Sequence, residues 1–357
     1  DKLARQAGNV GFVLPAIGKK PGERYIGTWK MEPLTIAVLR SLTPPDVECD
    51  LMDDRLELID YDRPTDLVAI NVETYTARRA YAIADAFRAR GVRVVLGGYH
   101  PTLLPAEAAP QADAVVTGNA EAVWGRLVAD ARVGRLRATY AGGIQFSDAP
   151  PDRSIFAGKK YLPVSLVETG RGCGHSCEFC AIAGYYGAHY FPRPVDAVVR
   201  DVAASPHKMF FFVDDNLVAD PEHVRDLCAR LKPLKVTWAA QGTLTLANDP
   251  SLLRAMKDAG CELILIGFES LEDASLARMG KRWSAALGER EALVKKIHDA
   301  GIGIYATFVL GYDGDTRETF ERTLEFATRS RFFTAAFNHL LPFPGTPLYR
   351  RLEREGR

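Results

Sequence analysis

Three cysteines, Cys173, Cys177 and Cys180, fall within eight residues in the segment GRGCGHSCEFC at 170–180. On a loop, C-x3-C-x2-C spacing lets three thiolates converge on one side. There they can hold three irons of a [4Fe-4S] cube and leave the fourth iron open to a substrate. Such clusters usually take four thiolates, so a set of three is itself a hint about chemistry. Zinc is the competing reading, because structural zinc takes a fourth Cys or His and His175 and His189 lie close in sequence. Context favours the cluster: the motif sits at the first βα turn of a repeated βα domain. Gly170, Gly172, Gly174 and Gly184 would permit close backbone approach to it. Cys49, Cys228 and Cys261 stand in apolar contexts and read as small buried hydrophobes.

The elements that must position this loop follow from apolar patterning. Runs at 9–14, 47–52, 67–71, 92–96 and 114–117 read as strands, with helices at 31–41, 77–90 and 120–132. Apolar strands alternating with amphipathic helices predict a parallel sheet covered on both faces. Residues 1–135 are therefore expected to form a doubly wound domain whose ligand crevice lies outside the carboxyl ends of its strands. The Gly- and Pro-bearing stretch 136–162 reads as a connector. In 163–357 the rhythm restarts, with strands at 164–168, 209–213, 236–240, 263–268, 304–310 and 335–341. Helices are expected at 195–204, 222–231, 250–258, 285–300, 318–328 and 348–355, and the six βα repeats read as an incomplete barrel or a second open sheet.

Composition bounds the rest. The 357 residues are 47% hydrophobic and 25% charged, which excludes disordered, collagenous and disulfide-scaffold chains. Forty-five basic residues balance forty-five acidic ones, so neither nucleic acid nor an anionic membrane is favoured as a partner. No run reaches the ~18 apolar residues of a spanning helix, and the opening DKLARQAG is no signal peptide. A cytoplasmic protein is the default expectation, with the six cysteines in a reducing compartment.

The chain resembles a radical S-adenosylmethionine (SAM) enzyme, and more narrowly the class with a cobalamin-binding-type domain before a partial (β/α)6 barrel. In the second half the resemblance rests on the cysteine motif, FVDDN at 212–216, IGFES at 266–270, VLGY at 309–312 and PFPGTP at 342–347. In the first half it rests on DLVAI at 66–70 and GGYHPTLLP at 97–105. It implies that Cys173, Cys177 and Cys180 ligate iron, with Phe179 shielding the cluster near the adenine. Asp214, Asp215 and Asn216 would border the methionyl end of SAM, and Gln241 would end the third barrel strand. Glu269 and Ser270 are candidates for ribose or amino contacts, Lys281 or Arg282 for the SAM carboxylate, and Gly311 and Leu341 for the adenine. Carboxylates near a sulfonium and an ammonium are sensible electrostatics. The plainer reading of Asp215 or Asn216 is a helix cap. His223 and His298 read as solvent-facing helix residues.

In the first half, Gly97, Gly98 and His100 match the family loop that passes the cobalamin nucleotide tail. The strand end DDRLEL at 53–58 lacks the histidine with which some relatives ligate cobalt. Asn71 and Glu73 stand where relatives tend to be small, hydroxylated or apolar, and Glu73 would face the crevice or pair with Arg78 or Arg79. The basic segment KKPGERY at 19–25 would close over an acidic group or lie as a solvated loop. The resemblance implies a small-molecule substrate and an electron donor such as flavodoxin or ferredoxin. A cobalamin-dependent methyltransferase is the first reading. A cobalamin-independent enzyme, such as a 3-amino-3-carboxypropyl transferase forming a carbon–arsenic bond, stays open, as does a non-catalytic iron–sulfur or zinc module.

Overall fold

The computed structural model describes residues 8–18 and 30–357, so the basic segment 19–25 lies outside it. The chain divides into two compact units, 1–163 and 164–357.

In the first unit, strands β1 (Asn9–Leu14), β2 (Glu48–Asp53), β3 (Leu67–Asn71), β4 (Arg93–Gly97), β5 (Ala114–Thr117) and β6 (Thr139–Ala141) form one sheet. Their order is β2-β1-β3-β4-β5-β6, every pair is parallel, and the order reverses between β1 and β3. Helices α1 (Leu34–Leu42), α2 (Ala77–Arg88), α3 (Tyr99–Leu103), α4 (Pro105–Ala108) and α5 (Trp124–Arg132) cover it. Residues alternate along each strand between two cores. Val10 and Phe12 pack with Ile36 of α1 and Trp124 of α5, while Val13, Val68 and Ile70 pack with Ile83 and Phe87 of α2. Helices on both faces of a parallel sheet are the doubly wound arrangement. A buried Trp124 Nε1 donates to Thr43 Oγ1 at 2.9 Å, so its polar edge is satisfied inside the first core.

The stretch read as a connector is partly built into this sheet. β6 pairs with β5, and Gly142 follows it so closely under the neighbouring loop that a Cβ there would lie 1.7 Å from Asn119 O. Three residues are too few to show a strand period. The expected helix over 120–132 likewise opens as a 3-10 turn, Ala120–Ala122, before α5 begins at Trp124.

In the second unit, strands β7 (Ser165–Val167), β10 (Met209–Phe212), β11 (Thr237–Gly242), β12 (Cys261–Glu269), β13 (Gly303–Leu310) and β14 (Thr334–His339) form a parallel six-stranded sheet. They lie in chain order from β7 to β14. Between β7 and β10 come β8 (Gly170–Gly172), α6 (Ala181–Tyr186), β9 (Tyr190–Pro192) and α7 (Val195–Ala204). The later helices are α8 (Pro221–Leu231), α9 (Pro250–Asp258), α10 (Asp273–Arg278), α11 (Arg282–Ala285), α12 (Arg290–Asp299), α13 (Arg317–Arg329) and α14 (Pro347–Arg354). Asp220 and Asp249 start α8 and α9 as N-caps, accepting from backbone N–H groups of the first turn. Phe212, Trp238, Ile264, Ile266 and Phe308 are among the strand residues of a single core lined outside by these helices. The expected 285–300 helix is split: a short α11 turns away first, and the long helix starts only at Arg290. His223 and His298, expected to face solvent, are half-buried. No helix among the described residues is long and apolar enough to cross a membrane.

Candidate active site

The cysteine loop leaves β7 and folds back on itself. β8 pairs antiparallel with β9, a hairpin inserted before the parallel repeat resumes. Glycine is required here by the protein's own packing. A Cβ at Gly170 would lie 2.2 Å from the Tyr190 hydroxyl, and one at Gly172, with φ at +80°, would lie 2.3 Å from His189 O. A Cβ at Gly184 would lie 3.3 Å from Gly345 O, and one at Gly174 would meet nothing within 4 Å. At Gly170, Gly172 and Gly184 the close neighbour is the protein's own backbone or side chain.

Cys177 is 9% exposed, and Cys173 and Cys180 are half-buried. Burial pushes all three thiols up, Cys177 to about 12, while the Lys281 ammonium pulls Cys173 and Cys177 back down. The three lie within electrostatic range of one another. Among the described residues, however, no three His, Cys, Asp or Glu side chains gather tightly enough to hold one metal ion. Three thiols on one loop suit a four-iron cube, in which each thiolate would meet a different iron. Metal binding is what would offset the cost of three buried thiolates.

The acidic run after β10 is the anchor of this loop. Asp214 accepts from Thr169 N at 3.0 Å and Thr169 Oγ1 at 2.6 Å, and Asp215 accepts from Gly172 N at 2.9 Å. Burial raises Asp214 to about 7 and Asp215 to about 6. Gln241 Nε2, at the end of β11, donates to Asp214 O at 3.3 Å. Asn216 is 2% exposed, and its Oδ1 is buried without a partner. These four expected residues are thus brought together, two of them holding the cysteine loop through its backbone.

Glu269 ends β12 with φ at +61°, a conformation that costs a side chain free energy. A register shift against β13 between Gly267 and Glu269 accompanies it. The carboxylate folds back over Gly267, where a Cβ would lie 2.2 Å from Oε1, and meets Lys281 Nζ at 2.9 Å. Lys281 Nζ also donates to Gly267 O at 3.1 Å. Of the two basic candidates, then, Lys281 is the buried one directed at the strand end. Arg282 is exposed and begins α11. Beside Lys281, the His175 ring stacks on Trp283 at 3.9 Å and 10°. Ser270 is buried and its Oγ accepts from Glu272 N at 3.0 Å, a turn-forming role. Gly311 N and Tyr312 N both donate to Asp315 Oδ2, so Gly311 shapes the turn after β13. Leu341 is 56% exposed.

Phe179 packs on Leu276, Met279 and Tyr312, a small apolar cluster separate from the main core. Next to it, sequence reasoning missed Glu178. Its N–H donates to Met279 O at 3.0 Å, its carbonyl accepts from Leu348 N at 2.9 Å, and its carboxylate meets Tyr312 and Arg351, the latter at 3.0 Å. The loop is thereby tied to α14, and no local signal could have announced a partner 173 residues away.

In the first unit, β3 and β4 end side by side. Val72 N donates to Gly97 O at 2.8 Å, and Gly98, at φ +109°, sits where a Cβ would meet Asn71 Oδ1 at 2.7 Å. His100 N donates to Val72 O at 3.1 Å at this same end. It is 3% exposed, with Nε2 at 2.9 Å from Tyr81 Oη and 3.1 Å from Glu107 Oε1, so it holds α3 to α2 and α4. Among the described residues its Nδ1 is buried without a partner. At the end of β2, Asp53 is bound to Arg55 and Tyr161, and the next residue, Asp54, to Arg79. Arg79 being taken and Arg78 exposed, Glu73 pairs with neither, and burial alone raises its carboxyl to about 7.

Comparison with known proteins adds the following. The pattern of the Radical SAM superfamily matches residues 167–327, which contain the cysteine loop, the acidic run and Glu269. A bacteriochlorophyllide d C-12(1)-methyltransferase from Chlorobaculum tepidum is 31% identical over 336 residues, covering 90% of this chain and 74% of that protein. The solved structure of the radical SAM methyltransferase TsrM from Kitasatospora setae, with cobalamin and a [4Fe-4S] cluster bound, matches at a TM-score of 0.77 and 16% identity. It covers 98% of this chain and 75% of that one. OxsB, a cobalamin-dependent SAM radical enzyme, matches at 0.71 and 14% identity over 98% of this chain and 61% of its own. These likenesses bear out the two-part α/β architecture, a cobalamin-binding-type domain followed by a radical SAM barrel. Identity at that level across nine-tenths of the chain, joined to a cluster loop at the head of the matching barrel, shows that this chain belongs to the radical SAM superfamily and is a radical SAM enzyme.

Proposed function

We propose that the enzyme is a cobalamin-dependent methyltransferase that acts on a small-molecule substrate. The observation that carries this reading is the 31% identity to a methyltransferase over 90% of the chain, a span that includes both units. The likeness to TsrM and OxsB, both described with cobalamin, supports the same choice.

In this reading the cluster held by Cys173, Cys177 and Cys180 supplies one electron to SAM, and cobalamin supplies a carrier for the methyl group. The protein's part is positioning. Asp214 and Asp215 fix the loop through Thr169 and Gly172, so the three thiols would be pre-placed before metal arrives. Asn216 Oδ1, buried and without a protein partner, would accept from the SAM ammonium. Lys281 would turn from Glu269 to the SAM carboxylate, leaving the Glu269 carboxylate to face the cationic end. In the first unit, Gly97 and Gly98 present backbone at the mouth of the sheet. With Asp53 and Asp54 already bound to arginines and no histidine at that strand end, cobalt would receive no ligand from this strand.

The test is anaerobic reconstitution with iron and sulfide, addition of hydroxocobalamin, desalting, and a visible spectrum beside an iron count. About four irons and about one corrin per chain are expected. Four irons without corrin would overturn the methyltransferase reading while leaving the radical SAM chemistry in place.

A further inference from the structure

Of the described tryptophans, Trp283 differs from the others at its indole nitrogen. Trp124 Nε1 donates to Thr43 Oγ1 and Trp238 Nε1 to Ala259 O, each at 2.9 Å. Trp283 Nε1 is buried and has no partner among the described residues. An indole nitrogen can only donate, and a buried donor without an acceptor is rare enough to point to a ligand atom. The ring belongs to a segment laid antiparallel along the cysteine loop. Met279 O accepts from Glu178 N at 3.0 Å, a Cβ at Gly280 would lie 3.0 Å from Ser176 O, and Trp283 stacks on His175. Lys281 Nζ lies 5.6 Å from the centroid of the same indole, and its charge acts on both Cys173 and Cys177. The indole therefore borders the stretch of loop between those two cysteines.

The three thiols differ in the donors they already face. The His175 backbone N–H and the Asn216 side chain face Cys173, and the backbone N–H groups of Ile182 and Ala183 face Cys180. Burial apart, the groups acting on Cys177 are charges, Lys281 foremost, with no N–H donor among them. A buried donor without an acceptor and a buried sulfur without a donor thus lie on the same loop. We propose that the Trp283 indole N–H donates to the iron–sulfur cluster at the Cys177 sulfur and raises its reduction potential. This rests on the assignment of the cluster to the three cysteines. Hydrogen bonds to the sulfurs are among the factors that set the potential of such clusters. A donor favours the reduced form, because that form carries one more negative charge and is the stronger acceptor. His175, between two of the ligands, holds the plane of the indole by stacking and so positions the donor.

The experiment uses the reconstituted full chain without SAM. The cluster is titrated with dithionite as the electron source in the presence of redox mediators, and its reduced form is followed by electron paramagnetic resonance. Trp283→Phe keeps an aromatic face for His175 and removes the N–H. At a fixed potential near the parental midpoint, its reduced-to-oxidised ratio should fall about three- to tenfold, tenfold being about 59 mV for one electron. A second measurement needs no variant to load a cluster. Parent chain carrying nitrogen-15 at the tryptophan indoles is reduced and examined by pulsed resonance, where a coupling from an indole nitrogen to the cluster is expected. That coupling should vanish in Trp283→Phe. An unchanged or raised midpoint in the variant, or a parent without the coupling, would overturn the proposal and leave the cluster standing. A coupling that persists in the variant would also overturn it, since another tryptophan would then be its source. So would a midpoint shift that appears only after SAM is added, because the indole would then serve SAM. A parent that binds no reducible cluster would remove the cluster assignment and this donor together.

Discussion

Asn216 carries a buried carbonyl oxygen that nothing in the described protein satisfies. Leaving such a group unpaired costs about 1–3 kcal/mol, a cost a ligand can recover. Asn216→Ala should therefore weaken SAM binding by about tenfold, measured by equilibrium dialysis on the cluster-loaded chain, with Asn216→Asp retaining more affinity than Ala. An unchanged SAM affinity would assign Asn216 to the loop alone. Glu73 makes a different prediction. Burial raises its carboxyl from 4.5 to about 7, so between those values the native state holds a proton that the unfolded chain has released. Its contribution is complete below pH 4.5 and is lost as pH rises through 7. Glu73→Gln should slow hydrogen exchange at the β3 amides by about tenfold near pH 8, roughly 1.4 kcal/mol, and leave it unchanged near pH 4. The opposite trend would mean that the carboxylate is stabilised by a cation.

At the scale of elements, the cysteine loop is held between two supports. One is the acidic turn after β10; the other is α14, through Arg351 to Glu178 at 3.0 Å and to Asp313 at 2.8 Å. Charge-assisted hydrogen bonds of this kind are about twice as strong as neutral ones. Arg351→Ala should leave the barrel folded but loosen the loop, so that a chelator strips iron from the reconstituted protein about 5- to 20-fold faster, equivalent to about 1–2 kcal/mol. Iron loss at the parental rate would show that the acidic turn suffices. The α/β rhythm was legible because each strand and helix satisfies its own period. The β8–β9 pair was not, since two three-residue strands around glycines carry no period at all.

At the scale of the molecule, the two units have separate apolar cores, one on each face of the first sheet and one inside the second. Loss of the cluster should thus leave the first unit's chemistry intact. Cys177→Ala should retain corrin after desalting at the parental stoichiometry while producing no 5′-deoxyadenosine from SAM. Deoxyadenosine at the parental rate would refute the cluster assignment, and loss of corrin together with the cluster would show that the units depend on one another.

What the amino-acid sequence determined by itself was local: the period of each strand and helix, the order of the βα repeats, and three thiols spaced on one turn. Those features depend on neighbours within a few residues, and they made the doubly wound sheet, the barrel and the cluster motif legible. The tertiary structure decided which of Lys281 and Arg282 turns inward, because Gly280, at φ +79°, reverses the chain just before them. It decided that His100 joins Tyr81 and Glu107 inside the first unit, and that Glu178 finds Arg351. It also decided that Asp214 and Asp215 hold backbone in the cysteine loop. Each of these is a choice of partner across a long stretch of chain. Partners of that kind are selected by packing and by the need to satisfy buried polar groups, and neither leaves a local trace in the residues that make the choice.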